Sequence, residues 1–61
     1  MLDLNELQRR IEDEKADAAY YDALAEKADD PGFAQIIQGI AREETQHAAN
    51  LQFILEHIKQ G

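Results

Sequence analysis

The sequence contains no cysteine, which excludes disulfide bonds, iron–sulfur clusters and thiolate zinc sites within its 61 residues. It has no apolar run long enough to span a bilayer, and its first residues lack the basic and apolar regions of a signal peptide. A cytoplasmic location is therefore expected. Basic residues are scarce, six against thirteen acidic ones, and the net charge of −7 disfavours nucleic acid and membranes as partners while attracting cations.

Residues that break helices are also rare, with one proline and three glycines in the chain. The only cluster of them is Asp29-Asp30-Pro31-Gly32. Pro31 suits the first turn of a helix capped by Asp30, and Asp3 can cap an earlier helix. We therefore predict an all-α fold with one domain over residues 1–61. It is a two-helix antiparallel hairpin, with helices at about 3–28 and 31–60 joined by a turn at 29–31.

Spacings that alternate between three and four residues mark one face of each predicted helix. In the first helix this face contains Leu4, Leu7, Ile11, Glu14, Ala18, Tyr21, Ala25 and Ala28. In the second helix it contains Phe33, Ile37, Ile40, Glu44, His47, Leu51, Ile54 and Ile58. Glu14 is the only charged member of the first face, and Glu44 and His47 are the only polar members of the second.

Glu44 and His47 lie three residues apart, so a helix places them on one side, close enough to bind the same metal ion. Glu14 lies about fifteen residues before the turn and Glu44 about fifteen after it, which places both about 22 Å from the turn. This coincidence favours a metal site. Two other interpretations stay open: a polar layer that sets helix register, and a contact face shifted by one residue that leaves the side chains of Glu44 and His47 at the surface.

Two further residues of the second helix have simpler interpretations. His57 lies off the repeating face, in the last turn, and is predicted to be solvated rather than a ligand. Gly39 costs the helix about 0.5–1 kcal/mol relative to alanine. The alternative for Gly39 is that a neighbouring helix approaches closely there.

One hairpin supplies two carboxylates and one imidazole, and it leaves a wide apolar face uncovered. Two hairpins related by a twofold axis form a four-helix bundle whose middle layer holds four glutamates and two histidines. Those are the ligands of di-iron and di-manganese carboxylate bundles. We therefore predict a homo-oligomer, at least a dimer, with a larger ring as an alternative assembly, and with iron as the metal and manganese or zinc as alternatives.

Several segments resemble the ferritin-like superfamily. These are the run from Glu14 to Tyr21, Leu24–Lys27, Asp30-Pro31 and Ala41–Ala48. They are similar in particular to rubrerythrin-type helices and to the two-helix encapsulated ferritins. Rubrerythrins and ordinary ferritins carry the ligand motif twice in a chain, whereas this sequence has it once. The resemblance therefore implies a ferritin-like bundle in which a second chain completes the site.

The resemblance also implies roles for individual residues. Glu14, Glu44 and His47 are implied as iron ligands, and Tyr21 as a catalytic group beside a carboxylate. Asp13 matches one of the acidic residues that form a secondary cation site in the family, whereas Ala16 does not match the other.

Three functions follow as hypotheses. The first is a ferroxidase that oxidises Fe(II) to Fe(III) at an inter-subunit di-iron site and feeds iron storage or detoxification. The second is rubrerythrin-like reduction of peroxide at the same site. The third is a helical dimerisation module without catalysis. The resemblance also suggests an encapsulin shell as partner and compartment, although no targeting tail follows Gly61 in this sequence.

Overall fold

Two α-helices make up the computed structural model, which describes residues 1–60. Helix α1 spans Leu4–Lys27 and helix α2 spans Pro31–Gln60. They pack against each other as an antiparallel hairpin measuring 47 × 14 × 14 Å. The prediction of an all-α hairpin is confirmed. Neither of these helices has the length and apolar character needed to cross a membrane.

An aspartate caps the first turn of each helix. The Asp3 carboxylate accepts hydrogen bonds from the backbone amides of Asn5 and Glu6, at 2.9 and 3.3 Å. The Asp30 carboxylate accepts from the amides of Gly32 and Phe33, at 2.7 and 3.1 Å. These bonds satisfy amide groups that have no partner inside the helix. The cap at Asp30 fixes the start of α2 directly after the turn, and so fixes how the two helices align.

Few side chains are buried between the helices. Within residues 1–60 the buried set is Leu7, Ile11, Ala18, Ala25, Ala41, Ala48 and Leu55. Only Ile11 and Leu55 are both large and fully covered, and they pack with Leu7 and Leu51 towards the chain termini. The four alanines occupy the rest of the contact, where small side chains permit a close approach of the two helix axes. A single hairpin therefore encloses little apolar volume.

The contact face of α1 agrees closely with the predicted one. Leu7, Ile11, Ala18 and Ala25 are buried, while Glu14, Tyr21 and Ala28 are half-buried. Leu4 is the exception, because its side chain is 39 % exposed at the start of the helix.

The predicted face of α2 is wrong in part. Its buried and half-buried residues recur with alternating spacings of three and four at Ala34, Ile37, Ala41, Glu44, Ala48, Leu51 and Leu55, and Gly39 and Gln52 beside this row are half-buried as well. The predicted members Phe33, Ile40, His47, Ile54 and Ile58 are exposed in the hairpin. Helix α2 carries apolar residues on two adjacent faces, and the face with alanines contacts α1 because its small side chains fit between the helices.

The larger residues of α2 remain on the surface. Ile36, Ile40, Ile54 and Ile58 are exposed by 65, 36, 39 and 38 %, and we name these four residues the isoleucine stripe. Phe33, exposed by 64 %, lies next to the turn end of the stripe.

Replacing Gly39 should stabilise the protein. A Cβ atom at this position would meet only the Arg42 Nη2 atom, at 3.8 Å, which is an ordinary contact. Gly39→Ala should therefore raise the free energy of unfolding by about 0.5–1 kcal/mol, as measured by urea or thermal unfolding. The control is Gly32→Ala, whose Cβ would lie 3.1 Å from the capping oxygen of Asp30 and should give no gain. A loss of stability in Gly39→Ala would mean that a neighbouring chain approaches α2 at this glycine.

Candidate metal centre

Glu14, Glu44 and His47 come together near the midpoints of both helices. Glu14 projects from α1, and Glu44 and His47 project from successive turns of α2. One ligand atom from each residue lies within 4.8 Å of the other two. The antiparallel hairpin brings Glu14 to the level of Glu44, and helical spacing brings His47 beside it.

The Nδ1 atom of His47 lies between the two carboxylates. It is 3.3 Å from the Oε2 atom of Glu14 and 3.9 Å from the Oε1 atom of Glu44. The two glutamate side chains are 25 and 19 % exposed, whereas the histidine is 53 % exposed. The three groups therefore rest on the hairpin contact on one side and face outwards on the other.

The two glutamates act on each other's pKa in opposite directions. The hydrogen bond from the Glu44 carboxyl holds the pKa of Glu14 below its ordinary value of 4.5, and the nearby Arg10 guanidinium adds to this effect. The same hydrogen bond raises the pKa of Glu44, as do partial burial and repulsion from Glu14. Glu44 therefore takes up a proton at a higher pH than Glu14 does.

The donor atoms fit a divalent metal ion. Two carboxylates supply oxygen ligands and a charge of −2 when both are ionised, and the imidazole supplies one nitrogen. A cation in this position would remove the repulsion between Glu14 and Glu44. Oxygen ligands with one imidazole suit iron or manganese, and zinc also accepts them.

The other residues of interest lie apart from this group. Tyr21 is half-buried, and its ring packs edge-on against Tyr20 with the ring centres 5.3 Å apart. Within residues 1–60 no hydrogen bond joins the Tyr21 hydroxyl to Glu14 or Glu44, so its catalytic role stays a prediction. Asp13 is exposed, and a secondary cation site there also stays a prediction. The ring of His57 packs on Phe53, 4.3 Å between centres, and does not join the three-residue group.

Sequence reasoning missed two charged neighbours of the site. Arg10 lowers the pKa of Glu14, and Asp17 contributes to the raised pKa of Glu44 by charge repulsion. Their spacing from Glu14, four residues before and three after, is the signal that could have identified them, because such pairs share one side of a helix.

A family model described as rubrerythrin matches residues 5–61, which is nearly the whole chain. The matched range includes Glu14, Glu44 and His47, and also Tyr21. No match was found among curated proteins or among solved structures.

The stability of the metal-free protein should depend on pH through the glutamate pair. Folding raises the pKa of Glu44. Its contribution to the free energy of unfolding is therefore fully present below the ordinary pKa of 4.5, and it is lost as the pH rises through the raised pKa. Because folding lowers the pKa of Glu14, its contribution is present above 4.5 and is lost as the pH falls through the lowered pKa. The pair therefore stabilises the hairpin most between these two pKa values, where it holds one proton.

Thermal melts across this pH range, with a chelator present, measure the effect. In Glu44→Gln the fall in melting temperature on the alkaline side should be reduced, because the amide cannot ionise. The control is Glu43→Gln, which removes the same charge from the adjacent, exposed position and should keep the parental profile. Identical profiles for parent and Glu44→Gln would show that the two carboxylates do not share a proton.

Proposed function

Because the chain belongs to the rubrerythrin family, we propose that Glu14, Glu44 and His47 bind iron and that the protein oxidises Fe(II) to Fe(III). The observation that carries this proposal is the convergence of two carboxylates and one imidazole within 4.8 Å. Their positions are separated by up to 33 residues, and the fold brings them together at the level of both helix midpoints. The family is one of di-iron carboxylate proteins, and these residues are the types that such sites use.

The residues have separate tasks in this proposal. Glu14 is the carboxylate held ionised, so it attracts the first cation. Glu44 releases its proton as the cation binds, which makes binding stronger as the pH rises. His47, the most exposed of the three, supplies the nitrogen ligand from the outer side.

Bound iron supplies the electrons of the reaction. Two ferrous ions give two electrons, which with two protons reduce O₂ to hydrogen peroxide or reduce hydrogen peroxide to two molecules of water. Carboxylates favour the ferric product, because their negative charge balances the positive charge that each ion gains.

A second copy of the chain completes the site in this proposal. One hairpin offers three protein ligands, whereas a pair of hairpins offers four carboxylates and two imidazoles to two ions. Four negative charges balance two divalent cations, so the charge of the layer is neutralised only when both metals are present. The exposed apolar residues of α2 support the proposal that a partner covers this part of the hairpin.

Peroxide reduction is the second candidate, and the rubrerythrin match favours it over a purely structural role. In that case peroxide is the preferred oxidant, and an external reductant returns the iron to the ferrous state. The 61 residues contain no cysteine with which to hold a second redox centre, so the electrons would come from another molecule. Comparing the rates of Fe(II) oxidation with O₂ and with peroxide separates the two reactions.

Iron titration tests the site directly. Anaerobic Fe(II) should saturate at about one ion per chain, and admission of O₂ should convert the bound iron to Fe(III), followed by absorbance. Glu44→Ala and His47→Ala should each abolish turnover, because each removes a ligand. The control is His57→Ala, which removes a histidine outside the group and should leave the rate nearly unchanged. Saturable binding of Fe(II) without its oxidation would indicate that the native metal is manganese or zinc. The absence of saturable Fe(II) binding would remove the enzyme hypothesis.

Glu14→Leu should separate stability from metal binding. It removes an acid from the contact between the helices and fills the space with an apolar side chain, so the metal-free protein should melt at a higher temperature. Metal affinity should collapse. In the parent, metal at a hundredfold excess over its dissociation constant should add about 2.7 kcal/mol of stability. A lower metal-free melting temperature with an intact metal-induced rise would show that Glu14 is not a ligand.

A further inference from the structure

A positive charge lies one helical turn from Glu14. Arg10 precedes Glu14 by four residues, a spacing that places both side chains on the same side of α1. Arg10 is exposed, and its guanidinium charge is close enough to the Glu14 carboxylate to lower the pKa of that group. Within residues 1–60 no ion pair includes Arg10. Its charge therefore acts on the centre across a short distance, without a direct contact to either carboxylate.

The side chain of Arg10 is directed away from the ligand atoms. It lines a cavity of about 160 Å³ at the start of α1, together with Leu2, Asp3, Glu6 and Leu7. Side chains in a helix lean towards its beginning, which agrees with this placement. Arg10 therefore flanks the centre from the side of the chain termini, as a fixed positive charge that is not itself a ligand.

The effect of this charge depends on what the centre holds. Without a cation, Arg10 offsets part of the negative charge of Glu14 and Glu44. With a cation bound, two positive charges lie near each other, and their repulsion weakens the binding of the cation. The energy of this repulsion is proportional to the charge of the cation. Arg10 therefore opposes the binding of a trivalent ion more strongly than the binding of a divalent one.

Oxidation of iron makes this difference important. Each iron ion gains one positive charge, and the carboxylates then hold Fe(III) more tightly than Fe(II). A centre built only from carboxylates and imidazole would thus retain its own product. A positive charge beside the ligands reduces the affinity for Fe(III) by a larger factor than the affinity for Fe(II), and so favours release of the oxidised ion.

We propose that Arg10 is a specificity-determining residue of the metal centre, which lowers its affinity for cations and lowers it more for trivalent than for divalent ions. This inference rests on the proposed function in taking Fe(III) as the product that has to leave. Asp17, three residues after Glu14 and also exposed, carries the opposite charge on the turn side of the centre. It should act with the opposite sign, by strengthening the binding of both kinds of ion.

Binding of Mn(II) and Tb(III) tests the role of Arg10. Mn(II) is followed by calorimetry and Tb(III) by its luminescence, at one pH, one protein concentration and low ionic strength. In Arg10→Gln the Kd for Mn(II) should fall about fivefold and the Kd for Tb(III) about tenfold, as Coulomb's law gives for charges about 8 Å apart in water. Arg10→Lys keeps the charge and should keep both parental Kd values.

Arg9→Gln is the matched control. It removes the same charge from the adjacent exposed position, which faces another side of α1. Both Kd values should stay within about twofold of the parent, because charges at a greater distance through water interact weakly. Three results would each overturn the proposal: equal effects of Arg9→Gln and Arg10→Gln, an Arg10→Lys protein that behaves like Arg10→Gln, or a Tb(III) effect no larger than the Mn(II) effect.

These measurements stand apart from the proposed activity, since neither probe ion is oxidised in them. The expected changes in Kd, in a protein that does not oxidise Fe(II), would retain the role of Arg10 and remove the ferroxidase. Oxidation of Fe(II) by a protein in which Arg10→Gln changes neither Kd would retain the ferroxidase and remove the role of Arg10. A parent that binds neither Mn(II) nor Tb(III) would also overturn the inference.

Discussion

Close packing of alanines between α1 and α2 is the interaction on which the rest of this small protein depends. Ala18, Ala25, Ala41 and Ala48 are buried in the contact, and they bring two helix backbones close together at little entropic cost in side-chain ordering. The same choice leaves the larger apolar residues of α2 outside. The interior of one hairpin is therefore small, and its remaining apolar surface has the character of an interface.

The acidic residues of the site add a second constraint. Glu14 and Glu44 stand against each other on a partly covered surface, and their repulsion raises the pKa of Glu44, so that protonation of Glu44 relieves it. A proton is the smallest cation that can do this, and a divalent ion does it better because it neutralises both carboxylates. The repulsion between the two carboxylates in the metal-free protein and their affinity for a metal ion thus have one physical origin.

Much of the fold follows from the sequence because the signals are local. Asp3, Asp30 and Pro31 fix the helix starts, and the equal distances of Glu14 and Glu44 from the turn bring them to one level. The contact face of α2 could not be predicted from the sequence in the same way. The periodic pattern favours large apolar residues such as Ile40 and Ile54, whereas close packing of the helices favours Ala41 and Ala48. The spacing of apolar residues in one helix does not show which of two adjacent apolar faces packs against the same chain and which stays exposed to other molecules.

Side-chain detail at the site was less predictable. Helical spacing placed Glu44 and His47 together, but it could not show that His47 lies nearer to Glu14 than to Glu44, since that depends on the rotation of α2 against α1. Nor could it show the influence of Arg10 and Asp17, which belong to no apolar repeat. Such details depend on tertiary packing rather than on local pattern.

The position of the site at the helix midpoints has a consequence for internal motion. Helices open first at their ends, so the early local fluctuations of this hairpin involve the turns next to Asp3, Ala28 and Gln60. Glu14, Glu44 and His47 lie about three to four turns from the nearest of these ends. The ends can therefore open and close while the ligands keep their places, and we expect amide hydrogens beside the site to exchange more slowly than those at the helix ends.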